Sequence, residues 1–251
     1  MARVKVIALW ADRKPDWFSK FMERVEANRD FMAFEIVDLD LDRINALATK
    51  VSGVSVDKRL MGSNRLGRPM CDLRPLFGLM FREQLKHHEW WGWSDLDVVY
   101  GDLGKLWGPL LDSHDAITAS AHRMNGALSI LRNDEQTNNA WRKIENIELL
   151  LQDQNWKSIE EAHFHPALQK AGCRIYFDSR ETTDYEHRWK DDKRTGLKHG
   201  QVIWHVESSR CRLDGRNLIE VPDKTPPERG VVLSEREIAL YHFCGKKKWP
   251  M

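Results

Sequence analysis

The sequence predicts one α/β domain with a central, mostly parallel sheet flanked by helices. Three observations lead there. The chain has 251 residues, enough for a single domain that buries a substantial apolar core without a disulfide scaffold. Its first forty residues alternate strand, helix and strand at the spacing of a parallel unit. Beyond them, short apolar runs keep alternating with segments of helical periodicity.

Taken in order, Val4–Trp10 is a short apolar run that closes on a polar turn, and it reads as the first strand. Pro15 then stands where a helix would begin. Residues 16–28 carry Trp17, Phe18, Phe21, Met22 and Val25 at helical spacing. Residues 34–37 form a second strand that ends in the acidic turn Asp38-Leu39-Asp40. The polar stretch 42–70, with Gly53, Gly62 and Gly67, reads as a short helix and a mobile loop. A helix is expected over 76–88 and a strand over 90–93 that runs into Ser94-Asp95-Leu96-Asp97, with 98–100 still extended.

A helix or helical turn follows over 103–111, then strands over 116–120 and 125–131. Residues 135–151 read as one long helix, 158–170 as another and 174–177 as a strand. The charge-dense stretch 178–198 reads as a surface excursion, 202–206 as a strand and the proline-rich 223–229 as a linker-like loop. Residues 234–241 form a short helix or strand that leads into the C-terminal tail. No internal repeat is visible.

Composition narrows the function. Hydrophobic residues make up 41% and charged residues 31%, with a net charge of +1, so overall charge argues for neither a nucleic-acid nor a membrane partner. No run approaches the roughly 18 apolar residues of a membrane span. The N-terminus does not read as a secretory leader, and the expectation is a cytoplasmic chain without an integral membrane segment. Cys71, Cys173, Cys211 and Cys244 are scattered, as reduced thiols are, and make no zinc-type cluster. Most of the 11 tryptophans are expected in the core, with sugar-stacking platforms as the alternative.

Two motifs carry chemistry. Asp95 and Asp97 are carboxylates at i and i+2 at a strand end, where a bend lets both reach one point. Hard oxygen ligands of this kind suit Mg²⁺ or Mn²⁺ bridging two phosphates. The second motif is the tail from His242 to Pro250. A neutral imidazole adds a metal ligand, Gly245 allows close backbone approach to an anion, and Lys248 supplies a positive charge. Taken alone, the tail also reads as a solvated basic terminus.

The tail resembles the HxxGxxKPW motif of glycogenin-like retaining glycosyltransferases, with Lys-Trp-Pro here in place of Lys-Pro-Trp. Residues 71–78 and 90–103 resemble a second group, the bacterial and viral polysaccharide-associated proteins assigned to glycosyltransferases by similarity. Cys-Asp-(Phe/Tyr)-Lys-Pro and Cys-Asp-Leu-Asp-Val-Ile-Tyr-Gly-Asp-Leu recur in them; Arg74 stands here for their lysine. The resemblance implies a GT-A-like fold with a Rossmann-like nucleotide-binding half at 1–103 and an acceptor-side half at 104–251. It implies Asp95, Asp97 and His242 as ligands of Mn²⁺ or Mg²⁺, and Gly245 and Lys248 on the diphosphate of a UDP- or GDP-sugar.

Further candidates stay open between function and structure. Asp72 and Arg74 line the nucleotide pocket or cap a helix. Asn125 and Gly126 border the sugar or form a turn. Asp102 is a supporting residue of the site or another cap. Asp153, or the pair Glu160 and Glu161, serves as general base, binds acceptor hydroxyls or lies on a helix surface. His163 and His165, like His87 and His88, are spaced for different helix faces and read as structural. The reaction expected is transfer of a glycosyl unit to a hydroxyl of a glycan acceptor, and the tail resemblance leans toward retention of configuration. The alternatives are a metal-dependent phosphohydrolase or nucleotidyltransferase, and a non-catalytic nucleotide-sugar-binding module.

Overall fold

The structure is a computed structural model that describes residues 2–10, 14–16, 18–38, 40–56, 70–120, 122–178, 181–183, 210–214, 216–221, 236–238 and 240–242. Its centre is a six-stranded sheet. In chain order the strands are β1 (Val4–Trp10), β2 (Met32–Asp38), β3 (Trp90–Ser94), β5 (Ala116–Thr118), β6 (Leu128–Arg132) and β7 (Ile175–Phe177), while the short β4 (Val98–Tyr100) lies outside it. Their spatial order is β2-β1-β3-β6-β5-β7. β1 pairs in parallel with β2 and β3, and β5 in parallel with β7. β6 alone runs against its neighbours β3 and β5. This mixed, mostly parallel sheet with helices packed on it is the expected fold class.

The sheet divides the core because neighbouring side chains on a strand point to opposite faces. Val4, Val6 and Ala8 of β1 join Phe21 and Val25 of α1 (Phe18–Ala27) on one face. Ile7 joins Ile44 and Ala48 of α2 (Leu41–Ser52) on the other. Trp90 packs with the first group, and Trp91 and Trp93 with the second. Trp90, Trp91, Trp93, Trp107 and Trp141 are all fully buried, so these five serve the core. Asp40 caps α2 by accepting from the Arg43 amide, and Gly53 ends it in the left-handed conformation.

Two expected helices are broken. The stretch 76–88 becomes a 3₁₀ turn (Arg74–Leu76), α3 (Phe77–Met80) and α4 (Arg82–Leu85). The break is at Phe81, fully buried with φ −108° and ψ 26°. The stretch 135–151 becomes α6 (Glu135–Asn138), a 3₁₀ turn (Ala140–Lys143) and α7 (Ile147–Gln152), following α5 (Leu103–Trp107). There Ile144 turns extended to bury its side chain, and Asn146 sits at φ 53°. The helix expected over 158–170 forms as a π turn (Ile159–His163) that continues into α8 (Phe164–Lys170).

The C-terminal part adds two small sheets. β9 (Arg210–Asp214), β10 (Asn217–Val221) and β11 (Arg236–Ile238) form an antiparallel set; β11 falls within the short helix or strand expected over 234–241, whereas the β9–β10 hairpin was not anticipated. β12 (Leu240–His242) pairs antiparallel with β4 and parallel with β8 (Glu181–Thr183). Arg24 ties the first of these sheets to α1, donating to the carbonyls of Tyr100 and Arg216. The expected strand at 202–206 and most of the excursion at 178–198 lie outside the described residues. Among those described, no helix is long and apolar enough to cross a membrane.

Candidate active site

β1, β2, β3, β5 and β7 all point their carboxyl ends to one edge of the sheet. Because β6 runs the other way, the turn before it, Asn125-Gly126-Ala127, arrives at the same edge. The Asp95 amide donates to the Ala127 carbonyl at 3.0 Å, which joins that turn to the end of β3. The chain runs from β1 out to β2 and then crosses back past β1 to β3, and a reversal of strand order of this kind opens a ligand crevice at the strand ends. Trp10 ends β1 beside it, half-buried, and its indole N–H has no partner among the described residues.

Arg74 organises the centre. Its guanidinium is buried, donates to the Gly126 carbonyl at 2.6 Å and forms an ion pair with Asp95. Burial works against its charge, but Asp95, Cys71 and Glu160 hold its pKa above the ordinary arginine value. It is therefore a fixed cation that orients the first aspartate of the Asp95/Asp97 pair. Asn125 is buried and its side chain is occupied by the turn itself. Its Nδ2 donates to the Ala119 carbonyl and its Oδ1 accepts from the Ala127 amide at 2.7 Å, so Asn125 positions Gly126.

The acidic pair reaches this centre through the π turn. Ser158, at φ 56°, precedes it. Asp72 is fully buried and clamps the turn: Oδ2 accepts from the Lys157 amide at 2.8 Å and Oδ1 from the Ile159 amide at 2.6 Å. Glu161 then accepts from the Gly126 amide at 3.2 Å and pairs with Arg123 at 3.3 Å. Glu160 is 2% exposed, and its Oε2 has no hydrogen-bond partner among the described residues. Burial raises its pKa well above the usual carboxylate range; Arg74 opposes the rise, and Asp72 and Glu161 add to it. Short π segments such as this one are frequent at functional sites.

Not every sequence candidate joins the cluster. Asp153 stays at the rim, 2.7 Å from Lys157 Nζ, and that hydrogen bond holds its pKa down to about 2. A carboxylate so acidic is a weak base at neutral pH. Asp102 caps α5 by accepting from the Lys105 amide. His165 packs edge-on against Phe177, and burial lowers its pKa. Asp97 is half-buried just before β4. The register of β12 on β4 sets His242 opposite Val98, so the tail histidine's backbone pairs next to Asp97. Gly245 and Lys248 lie outside the described residues.

For a divalent cation, the described residues contain no ready cluster of three His, Cys, Asp or Glu ligands. The carboxylates of Asp95 and Asp97 and the tail imidazole are nonetheless chemically suited to Mn²⁺ or Mg²⁺, with strand register bringing the two chain segments together. Sequence reasoning missed Arg123, Ser158 and Trp10. Trp10 had a signal in its position at the end of the first strand, whereas Arg123 and Ser158 had none.

Fold and site together define an α/β protein with an acidic, arginine-anchored crevice at the carboxyl edge of its sheet. Residues 6–247 match the model of a family of unknown function, DUF6625, and the chain belongs to that family. No curated protein matches it by sequence. Among solved structures, it is similar to a glycosyltransferase involved in glycosylation of the major capsid of PBCV-1, at 10% identity and TM-score 0.43, over 72% of this chain and 84% of that one. It is also similar to mouse xyloside xylosyltransferase 1 in its apo form, at 10% identity and TM-score 0.38, over 74% of this chain and 88% of the other.

Proposed function

We propose that this chain is a GT-A-like glycosyltransferase that moves a sugar from a UDP- or GDP-sugar to a hydroxyl of a glycan acceptor. Residues 1–103 form the donor-binding half and 104–251 the acceptor-side half. The observation that carries the reading is the register of β12 on β4, which aligns His242 with Val98 beside Asp97. Two distant pieces of chain, the ones whose motifs resemble glycosyltransferase motifs, meet at the carboxyl edge of the sheet.

Asp95, Asp97 and His242 would hold Mn²⁺ or Mg²⁺, and Gly245 and Lys248 would contact the diphosphate. The bound cation would supply electrostatic stabilisation of the departing diphosphate. Arg74 keeps Asp95 oriented and brings a permanent positive charge to the crevice. Glu161, paired with Arg123 and hydrogen-bonded to the Gly126 amide, would receive the acceptor's proton.

The test is a thermal-shift screen of nucleotides and nucleotide sugars with Mn²⁺, since a ligand that binds only the native state raises the melting temperature. UDP or GDP compounds should shift it, and EDTA should abolish the shift. Asp97→Asn should lose the metal-dependent part. Release of UDP or GDP only when an acceptor is present separates transfer from hydrolysis. No shift with any nucleotide refutes the reading.

A further inference from the structure

The bend that carries Asp95 and Asp97 joins two strands that are not partners. β3 lies in the central sheet and β4 in the small sheet with β12, so no backbone ladder among the described residues closes the bend at its base. A side-chain bond closes it instead. Ser94, the last residue of β3, and Tyr100, the last of β4, are both buried and bring their hydroxyl oxygens within 2.6 Å.

A proton count gives this bond its direction. Ser94 Oγ also lies 2.7 Å from the Asp95 carbonyl and 2.9 Å from the Ala127 carbonyl, and carbonyls only accept. Ser94 has one proton and gives it to a carbonyl, so the Tyr100 hydroxyl donates to Ser94 Oγ. That oxygen therefore joins β4 both to the end of β3 and to the turn before β6. Tyr100 itself is rooted in α1. Its ring centroid lies 5.8 Å from that of Phe21, and its carbonyl accepts from Arg24 Nε at 3.0 Å. Just beyond it, the fully buried Asn28 side chain donates to the Gly101 carbonyl at 3.0 Å and accepts from the Leu103 amide at 2.9 Å.

We infer that Tyr100 is a positioning residue of the proposed metal site, its hydroxyl fixing the bend through Ser94 so that Asp95 and Asp97 face one cation. The inference rests on the glycosyltransferase reading and adds what sets the geometry of its metal ligands. β4 also pairs Val98 with His242, so the strand that Tyr100 anchors is where the bend meets the tail histidine. Groups that support metal ligands without touching the metal commonly change its affinity by about 10–100-fold when removed. Tyr100→Phe takes away the hydroxyl alone. The ring stays against Phe21, and Ser94 still donates to a carbonyl, so no buried donor is orphaned.

The experiment measures Kd for UDP and for GDP by calorimetry, once with Mn²⁺ and once with EDTA. The ratio of the two values is the metal-dependent gain. It compares wild type with Tyr100→Phe, Ser94→Ala, the double variant and Asn133→Ala, with a melting temperature for each. Asn133 follows β6 at the opposite, amino edge of the sheet, where Nδ2 donates to the Leu85 and His88 carbonyls. Its alanine variant loses buried hydrogen bonds without touching the bend. Mn²⁺ should tighten wild-type binding of at least one nucleotide by about tenfold or more. Tyr100→Phe should lose most of that gain and keep its Kd in EDTA within about threefold of wild type. Ser94→Ala should behave alike, and the double variant should lose no more than the larger single loss, because both hydroxyls act through one bond. Asn133→Ala should keep the gain whatever its melting temperature. Should Ser94→Ala not fold, Tyr100→Phe against Asn133→Ala decides alone.

A Tyr100→Phe protein that keeps the gain overturns the inference and leaves the transferase reading standing. So does a loss that Asn133→Ala shares at equal melting temperature, or losses that add in the double variant. Wild type that gains nothing from Mn²⁺, or binds neither nucleotide, refutes the metal site itself and this inference with it.

Discussion

Replacing Asp72 by alanine probes how the acidic pair is held in place. The side chain is fully buried, and its two oxygens take the amides of Lys157 and Ile159 at 2.8 and 2.6 Å. Alanine leaves both N–H groups without their acceptor. A buried donor stripped of its partner costs about 1–3 kcal/mol, with bonds to a charged group in the upper part of that range, so the pair costs about 4 kcal/mol. Unfolding entropy near 2.1 cal/mol/K per residue gives a chain of 251 residues a slope of about 0.5 kcal/mol per degree. The melting temperature should therefore fall by about 8 °C. Differential scanning calorimetry at pH 7 reads this directly. Asp72→Asn should lose about half as much, because one oxygen still accepts while the new amide opposes the second N–H. Binding of nucleotide sugars should weaken in both variants as the turn loosens. An Asp72→Ala protein that melts within 2 °C of wild type would show that the turn holds without its clamp and would return Asp72 to the role of ligand contact.

Three other perturbations follow from the same geometry. Glu160 has a raised pKa in the folded state, so its stabilising contribution is complete below the unfolded value of about 4.3 and is lost as pH rises through the folded value. Glu160→Gln does not titrate; its melting temperature relative to wild type should climb steadily above about pH 4.3, and a gap that stays constant from pH 4.5 to 8 would contradict the burial argument. Gly92→Ala would drive a Cβ into the Ser129 carbonyl, where β3 pairs with β6. Urea titration should show a loss of about 3 kcal/mol or more. Trp156, 42% exposed and one residue before the clamped Lys157, is tested as a stacking platform for the proposed acceptor. Trp156→Ala should raise the acceptor KM about tenfold, the worth of one stacking contact of about 1.4 kcal/mol, and leave donor Kd unchanged; an effect on donor Kd alone would place it elsewhere.

The sheet was legible because its strands announce themselves locally. Val4–Trp10 is a short apolar run between polar turns, and the strand observed has those bounds. The helices over 76–88 and 135–151 were misread for one reason. Apolar spacing persists through both, but Phe81 and Ile144 leave the helical path to reach the core, and Asn146 takes up a left-handed backbone. Those are tertiary demands that periodicity cannot report. The candidate site divides in the same way. Asp95 and Asp97 stood out as a motif at a strand end. Glu160 and Glu161 could not be ranked against Asp153 from sequence, because what separates them is a clamp from Asp72 across 85 residues to the Lys157 amide. The antiparallel hairpin of β9 and β10 gave no strong local pattern and was not expected.

The acids of the crevice do not share one fate. Asp72 is answered by two backbone amides, Asp95 by Arg74 and Glu161 by Arg123. Glu160 sits among them with an oxygen that no described residue answers. Asp72, held by backbone alone, fixes the turn, whereas the ion-paired Asp95 and Glu161 keep their carboxylates oriented by a neighbouring arginine.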